Sequence, residues 1–205
     1  RTGGFFMGGF GPLGGGWGAK MTEGGMSATV CLNDGDTHNS PVESVEAKFP
    51  FLIEELSLRS GSGGAGKFRG GLGIARKVSA RVPLTLNAQV ERMHCAPWGL
   101  EGGHDGFGNE VTVYDADGEK RDVANAKVFL RRLQPGEGFY SRSGGGGGFG
   151  SPLARDPNRV AYDVAEEYVS AEEAREVYGV VLDAEGRVDL AETQKLRATM
   201  GEKQA

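Results

Sequence analysis

Residues 72–92 read LGIARKVSARVPLTLNAQVER, and this stretch decides the fold class. Leu72, Ile74, Val78, Ala80 and Val82 fall on one face of an extended run, the period of a strand with one side buried. Past Pro83 the alternation is cleaner. Leu84, Leu86, Ala88 and Val90 turn inward against Thr85, Asn87, Gln89 and Glu91 outward. Arg92 continues the inward face, where a charge needs a partner.

Strand patterns extend in both directions. Ser27 to Leu32 alternates with Ala28, Val30 and Leu32 on one face, and Phe51 to Arg59 forms another run. Val111 to Tyr114 and Glu119 to Val123 flank Asp115-Ala116-Asp117-Gly118, a good β-turn sequence. Lys127 to Leu133 is a further strand, and a turn over Gln134 to Gly138 leads into Phe139 to Arg142. The character changes after Asp156-Pro157. Ser170 and Glu173 form a capping box ahead of the stripe Ala171, Ala174, Val177 and Tyr178, with a stop at Gly179. A small hairpin around Ala184 to Gly186 follows, and Asp189 is placed to cap a last helix from Leu190 to Met200. The expectation is an α+β fold: a β-rich body over residues 1–159 and a small acidic α/β appendage over 160–205.

Glycine is the compositional outlier, at 36 of 205 residues. Of these, 29 fall in four clusters: Gly3 to Gly25, Gly61 to Gly73, Gly99 to Gly108 and Gly144 to Gly150. There is no collagen-like period and no sequence repeat among them. Clusters between strand patterns imply structured loops with positive φ or close backbone approach, and the interleaved Phe5, Phe6, Phe10 and Trp17 argue against a flexible linker. The run at Gly144 either cradles a ligand or turns tightly against aromatic side chains.

The net charge of −5 is carried by the tail, since residues from Val160 onward hold eleven acids and five bases. A neutral body with an acidic tail lacks the footprint of a nucleic-acid binder. Cys31 and Cys95 have no metal or redox spacing, which points to a reducing, cytoplasmic compartment. No apolar run approaches the length of a membrane span. The sequence starts at Arg1 without an initiator methionine, as a fragment, a processed product or a split subunit would.

The densest chemistry lies in Asn33 to Glu46, NDGDTHNSPVESVE. Asp34, Asp36 and His38 present oxygen and nitrogen ligands that a hard or borderline cation would accept; the other reading is a plain turn with a solvated histidine. Glu43 and Glu46 share a face if a helical turn follows Pro41 with Ser40 as its cap, and two close carboxylates drive their pKa values apart as acid–base work requires. The other reading is a helix start that favours acids. Asn39 lies beside them. Gly61 to Lys67, GSGGAGK, misses the phosphate loop: Phe68 stands where a hydroxyl is needed, and a strand follows instead of a helix. The turn remains able to carry Lys67 and Arg69 towards an anion. Glu91, Arg92 and His94 leave a strand end, and His104 with Asp105 follow, a base near a carboxylate.

Six motifs in order resemble the carboxyl-terminal part of the hydantoinase B/oxoprolinase family: THNSPVESVEAKFP (37–50), LRSGSGGAGKFRGGLG (58–73), VERMHCAPWGLEGGHDG (90–106), AKVFLRRLQPGEGF (126–139), GGGGGFGSPLARDP (144–157) and VSAEEAREVYGVV (169–181). The resemblance covers nearly the whole chain. It implies a subunit of an ATP-dependent enzyme that opens a lactam or hydantoin ring, with ATP and magnesium on a hydantoinase A-type partner. It places a divalent metal in an amino-terminal half of the B-type subunit that is not part of this sequence. It also implies a hetero-oligomer with a composite site. By position and residue type, Asn39, Glu43, Glu46 and Arg92 are the catalytic candidates on this chain, and Arg69, His38 and His94 the candidates to hold substrate or an anionic intermediate. Related readings are a subunit of an acetone carboxylase-like enzyme and a non-catalytic scaffold. Two loops depart from the family pattern: Gly150-Ser151-Pro152 stands for Gly-Asp-Pro, and RSGSGG lacks the acid of Arg-x-Asp-Ser-Gly-Gly.

Overall fold

The computed structural model describes residues 13–30, 40–122 and 124–202. Its strands are β1 (Phe51–Leu58), β2 (Ile74–Ala80), β3 (Leu84–Gln89), β4 (Glu110–Tyr114), β5 (Lys120–Asp122), β6 (Lys127–Leu133) and β7 (Gly138–Arg142). The helices are α1 (Val42–Lys48), α2 (Pro157–Ala165), α3 (Ala171–Glu176) and α4 (Leu190–Glu202). Helices and antiparallel sheets together make the α+β fold expected.

One sheet runs in the order β1-β2-β7-β4-β5, and β3 pairs with β6 in a second. Register puts Ile53, Val78, Phe139 and Val113 in one row and Phe51 beside Ala80, so the large sheet has one apolar face. The small sheet packs there through Leu84 and Leu86, joining cores built on Val111, Val113 and Leu133 and on Phe51, Val78 and Phe139. The alternation of β3 is as expected, with Leu84, Leu86 and Ala88 half-buried between exposed neighbours. The opposite face of the large sheet is polar. There Lys77 pairs with Glu54 at 2.6 Å, Tyr140 donates to Glu55 at 3.1 Å, and Glu110 receives both Arg142 and Arg59.

The run at Gly144 is not a tight turn. Gly144 to Gly148 pass through the centre of a bundle formed with the described parts of the other glycine clusters, which themselves turn at Gly61 and Gly102. A Cβ on Gly145 or Gly148 would collide with the carbonyls of Ser62 or Ala65. On Gly144 or Gly147 it would meet Phe107 or Trp98, and on Gly146 it would meet Trp17. Positions three apart therefore face the same neighbouring segment, which is the geometry of a helix with three residues per turn. Such a helix has no internal hydrogen bonds, so its polar groups must pair sideways. They do. Gly146 donates to Gly71 and accepts from Gly64 at 2.9 and 2.8 Å, and Gly148 donates to His104 and accepts from Leu100, both at 2.9 Å. The strand expected over Ser27 to Leu32 is absorbed in this weave within its described residues: Ala28 has φ 53, and only Thr29 bridges, to Gly15.

The carboxyl-terminal helices fasten onto the bundle. Sequence reading assigned no helix over residues 157–165, yet α2 starts there with Asp156 accepting from the Asn158 amide and Pro157 in its first turn. Asp163 on α2 lies between two arginines, Arg155 at 2.7 Å and Arg69 at 3.4 Å, all three side chains largely buried. The Gly61 amide donates to the Tyr168 carbonyl at 3.0 Å, and Ala65 of the bundle shares a core with Val160, Ala174 and Tyr178. Ser170 caps α3 and Asp189 caps α4 as read from sequence. Burial holds the Glu173 carboxyl above its usual range, against the pull of Arg69.

Replacing Gly146 with alanine is expected to cost at least about 3 kcal/mol in denaturant unfolding or to prevent folding, because the obstacle is backbone on every side. Gly201 in α4 has open space around its Cβ direction, so its alanine variant should gain up to about 1 kcal/mol. Asp163→Ala should lose about 3–5 kcal/mol by stranding two buried guanidinium groups. Glu173 has its pKa raised on folding, so its ionised form is destabilising and the penalty grows as pH rises through the folded value. Glu173→Gln should accordingly raise the thermal midpoint at neutral pH, with the gain fading below the ordinary glutamate range.

Candidate active site

The residues singled out from sequence do not all come together. Asn39, His38, Asp34 and Asp36 lie outside the described residues. Glu43 and Glu46 do lie on a helix after Pro41, but the expected Ser40 cap is not made: Pro41 occupies the cap position, with no side-chain cap bond. Glu43 is exposed. Glu46 Oε1 accepts from the Ile53 amide at 2.7 Å, which anchors α1 to the start of β1. Arg69 is committed to Asp163, to the Gly70 carbonyl at 2.8 Å and to the face of Tyr168 at 5.4 Å. Asp105 accepts from the Gly99 amide at 2.9 Å, a loop-fixing bond.

Arg92 and His94 meet in a cavity. Beyond Gln89 the ladder to β6 closes with a bond from the Val90 amide to the Ala126 carbonyl at 3.2 Å, and residues 90–95 with Asn125 and Lys127 then line an open space of about 450 Å³. Val90 and Met93 form its apolar floor, because both pack against the core of Val111 and Val113. Arg92 does not continue the inward face of β3. Its φ of 57 turns the chain, and its exposed side chain reaches the Cys95 carbonyl through Nε at 3.4 Å. His94 Nε2 lies 3.4 Å from Asn125 Oδ1. Lys127 pairs with Glu91 at 3.0 Å on the exposed rim. Arg92 and Lys127 against the one carboxylate of Glu91 leave the pocket positive.

Both walls of the pocket are held in strained backbone. Arg92, Asn125 and Ala126 have φ of 57, 58 and 44, a region that non-glycine residues avoid. The first wall is pinned by Asn109, whose amide donates to the Arg92 carbonyl at 3.2 Å and whose Nδ2 donates to the Glu91 carbonyl at 2.7 Å. Asn109 Oδ1 in turn accepts from Gly144 at 2.6 Å, so the pocket is tied directly to the glycine bundle.

Asn125 and Lys127 are the site residues that sequence reading missed. No local pattern marks them; they arrive through the β3–β6 register, which pairs Gln89 with Lys127. A second cavity of about 420 Å³ lies between α3 and α4, beside Arg175, Glu192 and Lys195, and contains none of the residues singled out. Among the described residues no three His, Cys, Asp or Glu side chains gather as a metal site would require. In the GSGGAGK turn the amides of Ser62, Gly64 and Lys67 are engaged within the fold, donating to Arg59, Gly146 and Gly150. No helix among the described residues is long and apolar enough to cross a membrane.

Known proteins share this architecture. Residues 1–152 match the hydantoinase B/oxoprolinase family. The 5-oxoprolinase PfmaA of Pestalotiopsis fici is 35% identical over 145 residues, covering 68% of this chain and 11% of that protein. The nucleotide-free structure of acetone carboxylase superposes on 94% of this chain and 30% of its own, with a TM-score of 0.80 and 25% identity. The structure of ATP-dependent caprolactamase from Pseudomonas jessenii covers 90% of this chain and 32% of its own, with a TM-score of 0.73 and 29% identity. A protein from that species that is 34% identical over 163 residues is named caprolactamase subunit beta. The chain spans 31% and 28% of the length of the first two curated relatives it matches. By the match over three quarters of its length, the chain belongs to the hydantoinase B/oxoprolinase family.

Proposed function

We propose that the chain is the carboxyl-terminal part of a B-type subunit in an ATP-dependent cyclic amidohydrolase. The enzyme opens a lactam or hydantoin ring after an A-type partner has phosphorylated the ring carbonyl oxygen. The likeness to ATP-dependent caprolactamase over 90% of the chain carries this reading. An amide carbonyl is a weak electrophile; phosphorylation of its oxygen gives water a centre it can attack. ATP and magnesium are assigned to the partner, since Phe68 stands where a phosphate loop needs a hydroxyl. A divalent metal is assigned to the amino-terminal part of the subunit.

In this scheme the chain supplies part of a composite site. Glu43 stands exposed on α1, open to groups from another segment, and Asn39, four residues earlier in sequence, is assigned to the same site. Glu46 holds α1 to β1 and so fixes the direction of Glu43. Arg92 provides the positive side for an anionic intermediate, with the His94 ring beside it. Arg69 acts through the fold, by keeping α2 against the bundle.

A second reading is favoured by the TM-score of 0.80 with acetone carboxylase: the activated compound is carboxylated instead of hydrolysed. The two separate in a reconstituted complex of this chain, the amino-terminal part and the A-type partner. The expected outcome is ring opening that requires ATP and is indifferent to bicarbonate, with Glu43→Gln lowering kcat at least roughly tenfold and leaving assembly intact. Ring opening by the isolated chain without ATP would refute the proposal, and strict bicarbonate dependence would replace it with the carboxylase reading. Full turnover in both Glu43→Gln and Arg92→Ala would reduce the chain to a scaffold.

A further inference from the structure

We infer that the pocket between residues 90–95 and 125–127 is a subsite for a small carboxylate with an apolar body. Its volume of about 450 Å³ lies in the range of small-molecule sites. The floor of Val90 and Met93 is apolar because it is the outer surface of the core between the sheets. The rim carries donors: the Arg92 guanidinium, the Lys127 ammonium, the His94 ring and the Asn125 amide. Their present bonds are weak. Arg92 makes only the long Nε bond to Cys95 among the described residues, His94 makes one 3.4 Å contact, and Lys127 shares a solvent-exposed pair with Glu91. A planar guanidinium that uses only Nε internally keeps its outer N–H groups for a carboxylate.

The left-handed backbone at Arg92 is a second observation. It costs an arginine roughly 1–2 kcal/mol, which glycine would avoid, while Asn125 holds a conformation that asparagine tolerates. A guanidinium kept on the rim at that cost fits a binding role.

The class of ligand follows from the chemistry. Water opening a lactam or hydantoin breaks the C–N bond and leaves a carboxylate on the former carbonyl carbon, and carboxylation of a ketone also ends in a carboxylate. The identity of the ligand therefore rests on the proposed function but not on the choice between its two readings. The activated intermediate supplies a related anion, a phosphate ester.

Calorimetric titration of the chain with hexanoate, neutral hexanamide and inorganic phosphate distinguishes these sources. Hexanoate is expected to bind saturably, and both other probes at least roughly tenfold more weakly. Arg92→Gly suits the positive φ, so it should lower hexanoate affinity roughly tenfold without lowering Tm. Equal binding of hexanoate and hexanamide, or unchanged affinity in Arg92→Gly, overturns the inference. Tighter binding of phosphate than of hexanoate replaces the carboxylate with the phosphorylated intermediate. The outcome is separable from the reaction itself. Hexanoate binding without ring opening by the reconstituted complex refutes the enzyme reading alone, and ring opening without hexanoate binding refutes the pocket alone.

Discussion

The fold depends on backbone meeting backbone without a side chain between. At Gly145, Gly146, Gly147 and Gly148 the space a Cβ would occupy is taken by carbonyls of three other segments. This contact has little hydrophobic content. Its stability comes from N–H groups paired sideways at 2.8–2.9 Å around Gly146 and Gly148, in a setting where unpaired amides would each be penalised. A three-residue turn lets one central segment face three neighbours in rotation, which a strand with its period of two cannot do.

The bundle organises what surrounds it. The carboxyl-terminal helices attach through the Gly61 amide, through Ala65 and through the buried Arg69–Asp163–Arg155 cluster. The pocket attaches through one side chain, Asn109, bonded to Gly144 on one side and to the carbonyls of Glu91 and Arg92 on the other. A change in the central glycines is thereby transmitted to the pocket wall through two or three hydrogen bonds. Strain at Arg92 is sustainable because Asn109 fixes both of its neighbouring carbonyl positions.

Strand periodicity was most legible in β3, which packs one face on the core and kept its alternation residue by residue. The α3 and α4 caps were legible for the same local reason. Helix α2 had its signature in Asp156-Pro157, an N-cap followed by proline in the first turn, but its apolar stripe is thin, with Val160 and Asp163 its buried residues. The bundle could not be read, because glycine at every position gives no period to detect: the threefold order lies in what surrounds each residue. Arg92 was misplaced for a similar reason. Its inward position assumes that the strand continues, while a positive φ, which no neighbour announces, ends it. Arg69 looked like an anion ligand in a glycine turn, and its partner, Asp163, is 94 residues away in sequence.

These constraints also limit where chemistry can reside. The central glycines of the bundle have no side chains to offer, and the amides of Gly146 and Gly148 are bonded to neighbouring segments, so they supply no group that moves a proton. Reactive groups must come from elements that leave the bundle or the sheets: α1 with Glu43, the loop after β3 with Arg92 and His94, and the turn before β6 with Asn125. In the described residues these groups do not converge on one centre, as a self-sufficient active site would need. A rigid core with dispersed reactive groups at its margins is the form expected of one part of a composite site, whose convergence is completed by residues from another segment.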